Sequence, residues 1–262
     1  VTVAVSIALR PPRFLRSVAL PAALLAAWAS SARLGLVEPT ALPSPETVLE
    51  TAGALLRGGE LWGAVGASLF RTLAGYGAAV AVGVPLGLLL GVSRRAEKLA
   101  GPSFHAWRQI AVFAWIPLIS AWVGGGDPCK VAFVAVAAVA PVIFNTFVGV
   151  RSLTPELREL ARVLEIGRLG LLLRVVLPSA MPQIFVGLQL ALVTSWLATI
   201  GAELFLEIAP GVGAILVEGR SLGRMELVIA GILVVGAVGF TLNSAIRLVE
   251  RRVLRWRPAP EP

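Results

Sequence analysis

Few side chains in this chain could do covalent chemistry. Cys129 is the only cysteine, His105 the only histidine, and Lys98 and Lys130 the only lysines. One cysteine allows no disulfide within the chain, and one Cys with one His builds no metal cluster. A Ser-His triad would have to use His105, and no nucleophile elbow surrounds it. Neither lysine closes a Gly-x-x-x-x-Gly phosphate loop, so ATP hydrolysis is not expected in this chain. The expectation is no enzyme, no metal and no cofactor. The polar groups that remain stand inside apolar runs, where an ionisable residue is a functional hypothesis by default. Arg71 and Glu203 are charged, and Ser195, Thr199 and Glu203 recur every four residues beside Trp196. Asn145 and Thr146 form a further pair.

The elements that position them are helices of a membrane protein. The 262 residues are 57% apolar and 15% charged, outside the range of soluble domains. Several runs reach the ~20 apolar residues that cross a bilayer core, giving an all-α, polytopic fold with six spans. They fall at about 17–37, 61–92, 100–124, 130–150, 184–206 and 226–249. Residues 1–44 form an N-terminal segment holding the first span. Arg10, Arg13 and Arg16 precede it, and its length reads as an anchor rather than a signal core. Residues 45–60 form an amphipathic helix in the interface plane, opened by Ser44-Pro45-Glu46. The second span is rich in glycine, which suits close helix packing. Gly124-Gly125-Gly126-Asp127-Pro128 reads as a turn on composition alone.

The charge of +8 comes almost wholly from arginine. It gathers in the N-terminal segment, at 94–98, in 151–174 and in a basic tail, 251–262. In a membrane chain this sets orientation rather than nucleic-acid binding, and it places both termini and the 151–178 loop in the cytoplasm. Trp62 and Trp256 read as interfacial anchors, His105 as a boundary residue and Cys129 as inert.

Two readings of the intramembrane polar groups stay open. Arg71 and Glu203 lie at similar depth, so they could pair and brace the bundle, or Arg71 could attract an anionic solute. Ser195, Trp196 and Thr199, like Asn145, could line a translocation pathway or make interhelical hydrogen bonds.

The charged loop is the most informative stretch. Thr154-Pro155-Glu156 opens a helix in which Leu157, Leu160, Ala161 and Leu164 share one face. Glu156, Arg158, Glu159, Arg162 and Glu165 line the rest. Gly167 is expected to stop it, and a second helix from about Arg168 to end near Pro178. From the residues alone this is equally a docking knob or a connector lying on the membrane surface.

The loop resembles the "EAA" loop of the membrane subunits of binding-protein-dependent ABC importers. That pattern runs Glu-Ala-Ala, three residues, Gly, nine residues, Ile-x-Leu-Pro. Glu159, Ala161, Leu177 and Pro178 match in register, Leu160 stands for the first alanine and Val175 for the isoleucine. Glu165 occupies the glycine position, and since glutamate enters a left-handed turn at a cost, either the turn shifts to Gly167 or the docking knob differs. Residues 40–257 resemble the sulfonate/nitrate/taurine branch through Pro43-Ser44-Pro45, Gly59-Glu60-Leu61-Trp62, Ser68 to Gly75, Ile116-Pro117-Leu118, Asn145-Thr146, Trp196 with Glu203, and the tail at 248–256.

The resemblance implies a type I importer transmembrane fold in a bacterial inner membrane, with 151–178 as the coupling loop. Glu156, Glu159, Leu160, Ala161, Arg162, Leu164, Glu165, Gly167 and Pro178 would form the contact with ATPase subunits. The other implied partners are an extracytoplasmic substrate-binding protein, a second permease copy in a homodimer, and lipid. The implied solute is small and anionic, sulfonate-, taurine- or nitrate-like. An ATP-independent secondary transporter is the alternative.

Overall fold

A computed structural model describes residues 13–38, 40–206 and 210–255. Arg10 and the tail from Trp256 onward lie outside the described residues. The described residues form helices and connecting turns. Helix α1 (Arg13–Arg33) stops four residues short of the expected end at 37. Helix α2 (Pro45–Arg57) starts as its sequence dictates: Ser44 Oγ accepts from Thr47 N–H at 3.2 Å, with Pro45 in the first turn. The exposed Arg33–Glu46 pair (2.6 Å) joins α1 to α2, and that guanidinium holds the Glu46 carboxyl below its ordinary range.

Helix α3 (Glu60–Val92) and helix α6 (Gly126–Arg151) form the centre of the bundle together with α9 (Leu177–Phe205). Along α3, Gly75, Ala79, Gly83, Gly87 and Gly91 recur every four residues, as do Val134, Ala138, Val142, Thr146 and Val150 along α6. A Cβ on Gly75, Gly83, Gly87 or Gly91 would stand 2.5 to 2.8 Å from atoms of Val134, Val142, Thr146 or Val150 in turn. Each rung keeps the same offset, so the two helices run parallel. The missing side chains let the backbones meet face to face, the small-residue packing that replaces a hydrophobic driving force inside lipid. Helix α9 runs antiparallel to α6 and packs against both it and α3: Gly149 meets Ala180, and Gly187 meets Asn145 and the Pro141 carbonyl.

The expected third span, 100–124, is not one straight helix. Helix α4 (Arg94–Trp107) stops, residues 108–111 cross over, and a 3₁₀ turn (Val112–Trp115) leads into α5 (Ile116–Val123). The two halves meet at 95°. Pro117 sits in the first turn of α5, where its missing N–H costs nothing, and so suits the restart of the chain as a new helix after the bend. Among the described residues four helices are long and apolar enough to cross a bilayer, and five if the bent pair counts as one span.

After α6 come the short α7 (Pro155–Val163) and α8 (Arg168–Leu171), then α9, α10 (Val212–Ser221) and α11 (Met225–Val253). The second loop helix does not end at Pro178 as expected. Residues Leu172–Val176 form a π-turn, in which Leu177 N–H bonds to the Leu172 carbonyl, and the chain passes straight into α9. The wider turn accommodates a proline that would otherwise break the helix.

Candidate functional site

Two places collect the polar side chains. At the end of the bundle away from Arg94–Lys98, Arg71 of α3 is 2% exposed and lies between two carboxylates. Its Nη1 donates to Glu203 Oε1 at 2.6 Å and to the Pro210 carbonyl at 2.8 Å, and its Nε donates to Asp127 Oδ1 at 2.7 Å. Ser68 Oγ also donates to Glu203 Oε1 (2.7 Å) and accepts from Val212 N–H (3.0 Å). Glu203 Oε2 accepts from Gly213 N–H at 2.8 Å. Glu203 thus meets the free N–H groups at the start of α10, where the helix dipole favours negative charge. The backbone reaches it only because 211 and 213 are glycines: a Cβ on either would lie 2.5 Å from Glu203. One buried guanidinium joins α3, α6, α9 and the start of α10.

The two readings of Arg71 separate here. Its guanidinium is already paired with Glu203 and Asp127, the contacts that the bracing reading expects. Removing one member of such a buried pair costs about 3–5 kcal/mol, because the other is left uncompensated.

From this network a line of hydroxyls continues between α3 and α9. Thr72 Oγ1 lies 2.8 Å from both the Ser68 carbonyl and Thr199 Oγ1, and the Thr199 hydroxyl donates to the Ser195 carbonyl at 2.9 Å. Ser195 Oγ and Thr146 Oγ1 are buried without a hydrogen-bond partner among the described residues. Trp196 Nε1 donates to the Val235 carbonyl (3.1 Å), tying α9 to α11. Asn145 bridges α6 and α9: its Nδ2 donates to the Pro141 carbonyl (2.8 Å) and its Oδ1 accepts from Gln183 Nε2 (2.9 Å). Arg71, Asn145, Ser195, Trp196, Thr199 and Glu203 are therefore all buried between helices of a single chain. None of them faces an open side of it.

Sequence reasoning missed Asp127, Ser68 and the α10 backbone. Asp127 was hidden in a glycine-rich stretch that reads only as a turn. The spacing Gly211-x-Gly213 after Glu203 was the available signal for the backbone approach.

The second place is the loop at the opposite end. Its roots are packed: Val150, Leu153, Val176, Ala180 and Ile184 form one buried cluster. Arg151 reinforces it by pairing with Glu97 of α4, its guanidinium 5.6 Å from the Phe147 ring. Between those roots the knob is open. Leu157, Leu160, Val163 and Leu164 are exposed apolar side chains, and Glu156, Glu159, Glu165, Gly167 and Pro178 are exposed as well. Ala161 and Arg162 lie in α7, their side chains outside the described residues.

Of the two alternatives at Glu165, the shift of the turn to Gly167 is not the one seen. Helix α7 ends at Val163, and Glu165 itself takes the left-handed conformation, φ 51°, the one non-glycine positive φ among the described residues. The conformation stays where the family pattern puts glycine, at a cost of about 1–2 kcal/mol.

Neither place holds a catalytic constellation. Among the described residues no three His, Cys, Asp or Glu side chains could share a metal ion. His105 is exposed, and Cys129 is buried.

Comparison with known proteins agrees with an architecture of packed spans and a protruding loop. Residues 83–255 match the family model of the binding-protein-dependent transport system inner membrane component. A Bacillus subtilis protein named for aliphatic sulfonates transport, permease protein SsuC, is 35% identical over 95% of this chain and 90% of its own. The taurine transport system permease protein TauC of Escherichia coli is 31% identical over 90% of this chain and 87% of its own. The nitrate import permease protein NrtB of Leptolyngbya laminosa is 35% identical over 72% of this chain and 68% of its own. Among solved structures, a chain of the MetNI methionine ABC transporter, inward-facing, superimposes with a TM-score of 0.66 at 18% identity. It covers 74% of this chain and 96% of that one.

Proposed function

The chain belongs to the inner membrane components of binding-protein-dependent transport systems, and from that premise we propose that it is the permease subunit of an ATP-driven importer. It takes a small oxyanion, or a zwitterion with an anionic sulfonate end, from an extracytoplasmic binding protein. The relatives' names support that solute class, since sulfonate, taurine, nitrate and bicarbonate share a compact anionic oxygen cluster. ATP is hydrolysed by separate subunits that dock on the 154–178 loop. A second copy of this chain completes the pathway. In the membrane α1, α3, the bent pair α4–α5, α6, α9 and α11 supply six spans, and the arginine-rich end with both termini faces the cytoplasm.

The observation that carries this reading is the form of the loop. A knob of exposed leucines and carboxylates stands on roots buried in the contact between α6 and α9. An unpartnered apolar face of this kind, outside the lipid, calls for a protein partner. Because the roots are packed and α8 runs on into α9 without a break, movement of the knob is passed directly to a span. The knob acts as a rigid lever rather than a tether.

The mechanism assigns no covalent step to this chain. Closure of the ATPases pushes the two knobs, α9 carries the motion across the membrane, and the Arg71 network keeps α3, α6, α9 and α10 moving as one block. Vanadate, which traps the ATPases, should stop taurine or nitrate uptake by the complex in proteoliposomes. Uptake that continues under vanadate would establish the ATP-independent alternative instead.

A further inference from the structure

The elbow of the bent span holds a charge that the function above does not use. Arg108 caps the end of α4, directly before the chain turns. Beside it is a cavity of about 210 Å³, whose walls include Trp107, Ile110, Trp115, Val136 and Ala140. The neighbouring Ala137 lies eleven residues from the start of α6 and fourteen from its end, ~17 Å and ~21 Å at 1.5 Å per residue. The cavity therefore lies about midway along α6, while Phe144, over which the guanidinium sits, is seven residues, ~10 Å, from the loop end of that helix. Arg108 and Gln109 are exposed on this open side of the single chain, and the guanidinium lies 4.5 Å from the Phe144 ring centroid. Among the described residues no carboxylate forms an ion pair with Arg108.

The contrast with Arg71 decides the chemistry. Arg71 is buried and met by two carboxylates, whereas Arg108 is uncompensated, exposed and walled by aromatic and small apolar groups. A charge at this depth persists where it faces water or a ligand rather than lipid. Its flat fork of N–H donors matches the paired oxygens of a small oxyanion. The break in the span is what opens the side of α6 here, as broken helices do at the midplane sites of other transporters.

We propose that the Arg108 elbow lines the translocation pathway and is its selectivity element, taking the anionic oxygens of the solute in the loop-side half of the span. The solute class rests on the reading above; the placement of Arg108 on the pathway does not. The site is transient: one arginine attracts the anion, and the aromatic walls offer no second charge to hold it.

The test uses the full complex of permease, ATPase and binding protein in proteoliposomes, with Cys129→Ser as background. An Ile110→Cys thiol is titrated with membrane-impermeant methanethiosulfonates, one anionic and one cationic, each rate normalised to a free thiol. The expected result is labelling from water with a preference for the anionic reagent, which Arg108→Gln lowers about tenfold and Arg108→Lys preserves. In uptake of taurine, ethanesulfonate and nitrate, Arg108→Gln raises KM at least about tenfold for each anion the parent transports. An Ile110→Cys thiol that neither reagent reaches, or a preference unchanged by Arg108→Gln, would overturn the proposal and leave Arg108 as a cap on α4. If the parent transports none of the three anions, the solute reading fails, while the labelling ratio still decides whether the elbow is an anion-selecting part of the pathway.

Discussion

The two ends of the bundle handle charge in opposite ways. At the Arg71 end the guanidinium is buried, shared by Glu203 and Asp127, and closed off by the N–H groups of α10. At the loop end Glu156, Glu159 and Glu165 stand in the open beside exposed leucines. The first arrangement finds its partners within one chain and ties helices together. The second has no partner among the described residues, which is what the proposed docking role requires. The same side-chain type, a carboxylate, is a brace at one end and a contact surface at the other, and what differs is whether the fold itself supplies its partner.

That contrast can be broken at the braced end first. Arg71→Ala leaves Glu203 buried and unpaired and should destabilise the purified protein by about 3–5 kcal/mol. The thermal unfolding midpoint should drop sharply, while any ATPase that still binds does so with unchanged affinity. A midpoint close to the parent's would mean that the network does not brace the bundle. The next effect lies along the α3–α6 ladder. Gly83→Leu drives a side chain into Val142, where even a Cβ would lie 2.8 Å away. Overpacking of this kind costs about 1–3 kcal/mol, read as a lower midpoint, while Gly77→Leu, in a position with open space, should be close to neutral.

The loop end predicts the smallest change and the opposite sign. Glu165→Gly releases a left-handed strain of about 1–2 kcal/mol and gives back about 0.5–1 kcal/mol in added chain freedom. The net gain should lie between zero and about 1.5 kcal/mol, with ATPase binding kept. Loss of binding in this variant would show that the Glu165 carboxylate, and not only the turn, is part of the contact.

What was legible in the sequence follows the same division. The caps at Ser44 and Pro155, the apolar face of α7, the glycine-rich second span and the depth match of Arg71 with Glu203 are local signals or simple register, and the chain shows them openly. Asp127 was not legible, because its role depends on α3 and α6 lying side by side, which a turn-like stretch does not announce. The bend at 108–115 was hidden because an apolar run has the same composition whether it is straight or folded on itself. Its meaning for Arg108 appears only once the elbow exposes the side of α6. The passage through Pro178 escaped for a similar reason: proline signals an end unless a π-turn absorbs it, and that adjustment depends on packing at Val176 and Ala180. Glu165 shows the reverse case, in which the residue type argued against a left-handed turn that the structure nonetheless has there.

The central claim is that the open knob at 154–168 is the place where an ATPase docks. A cysteine at position 159 or 160, in a Cys129→Ser background, should cross-link to the co-expressed ATPase, with a yield that changes when ATP is added. No cross-link from any position across 156–168, with the ATPase present and folded, would contradict the account and leave the loop as a connector on the membrane surface.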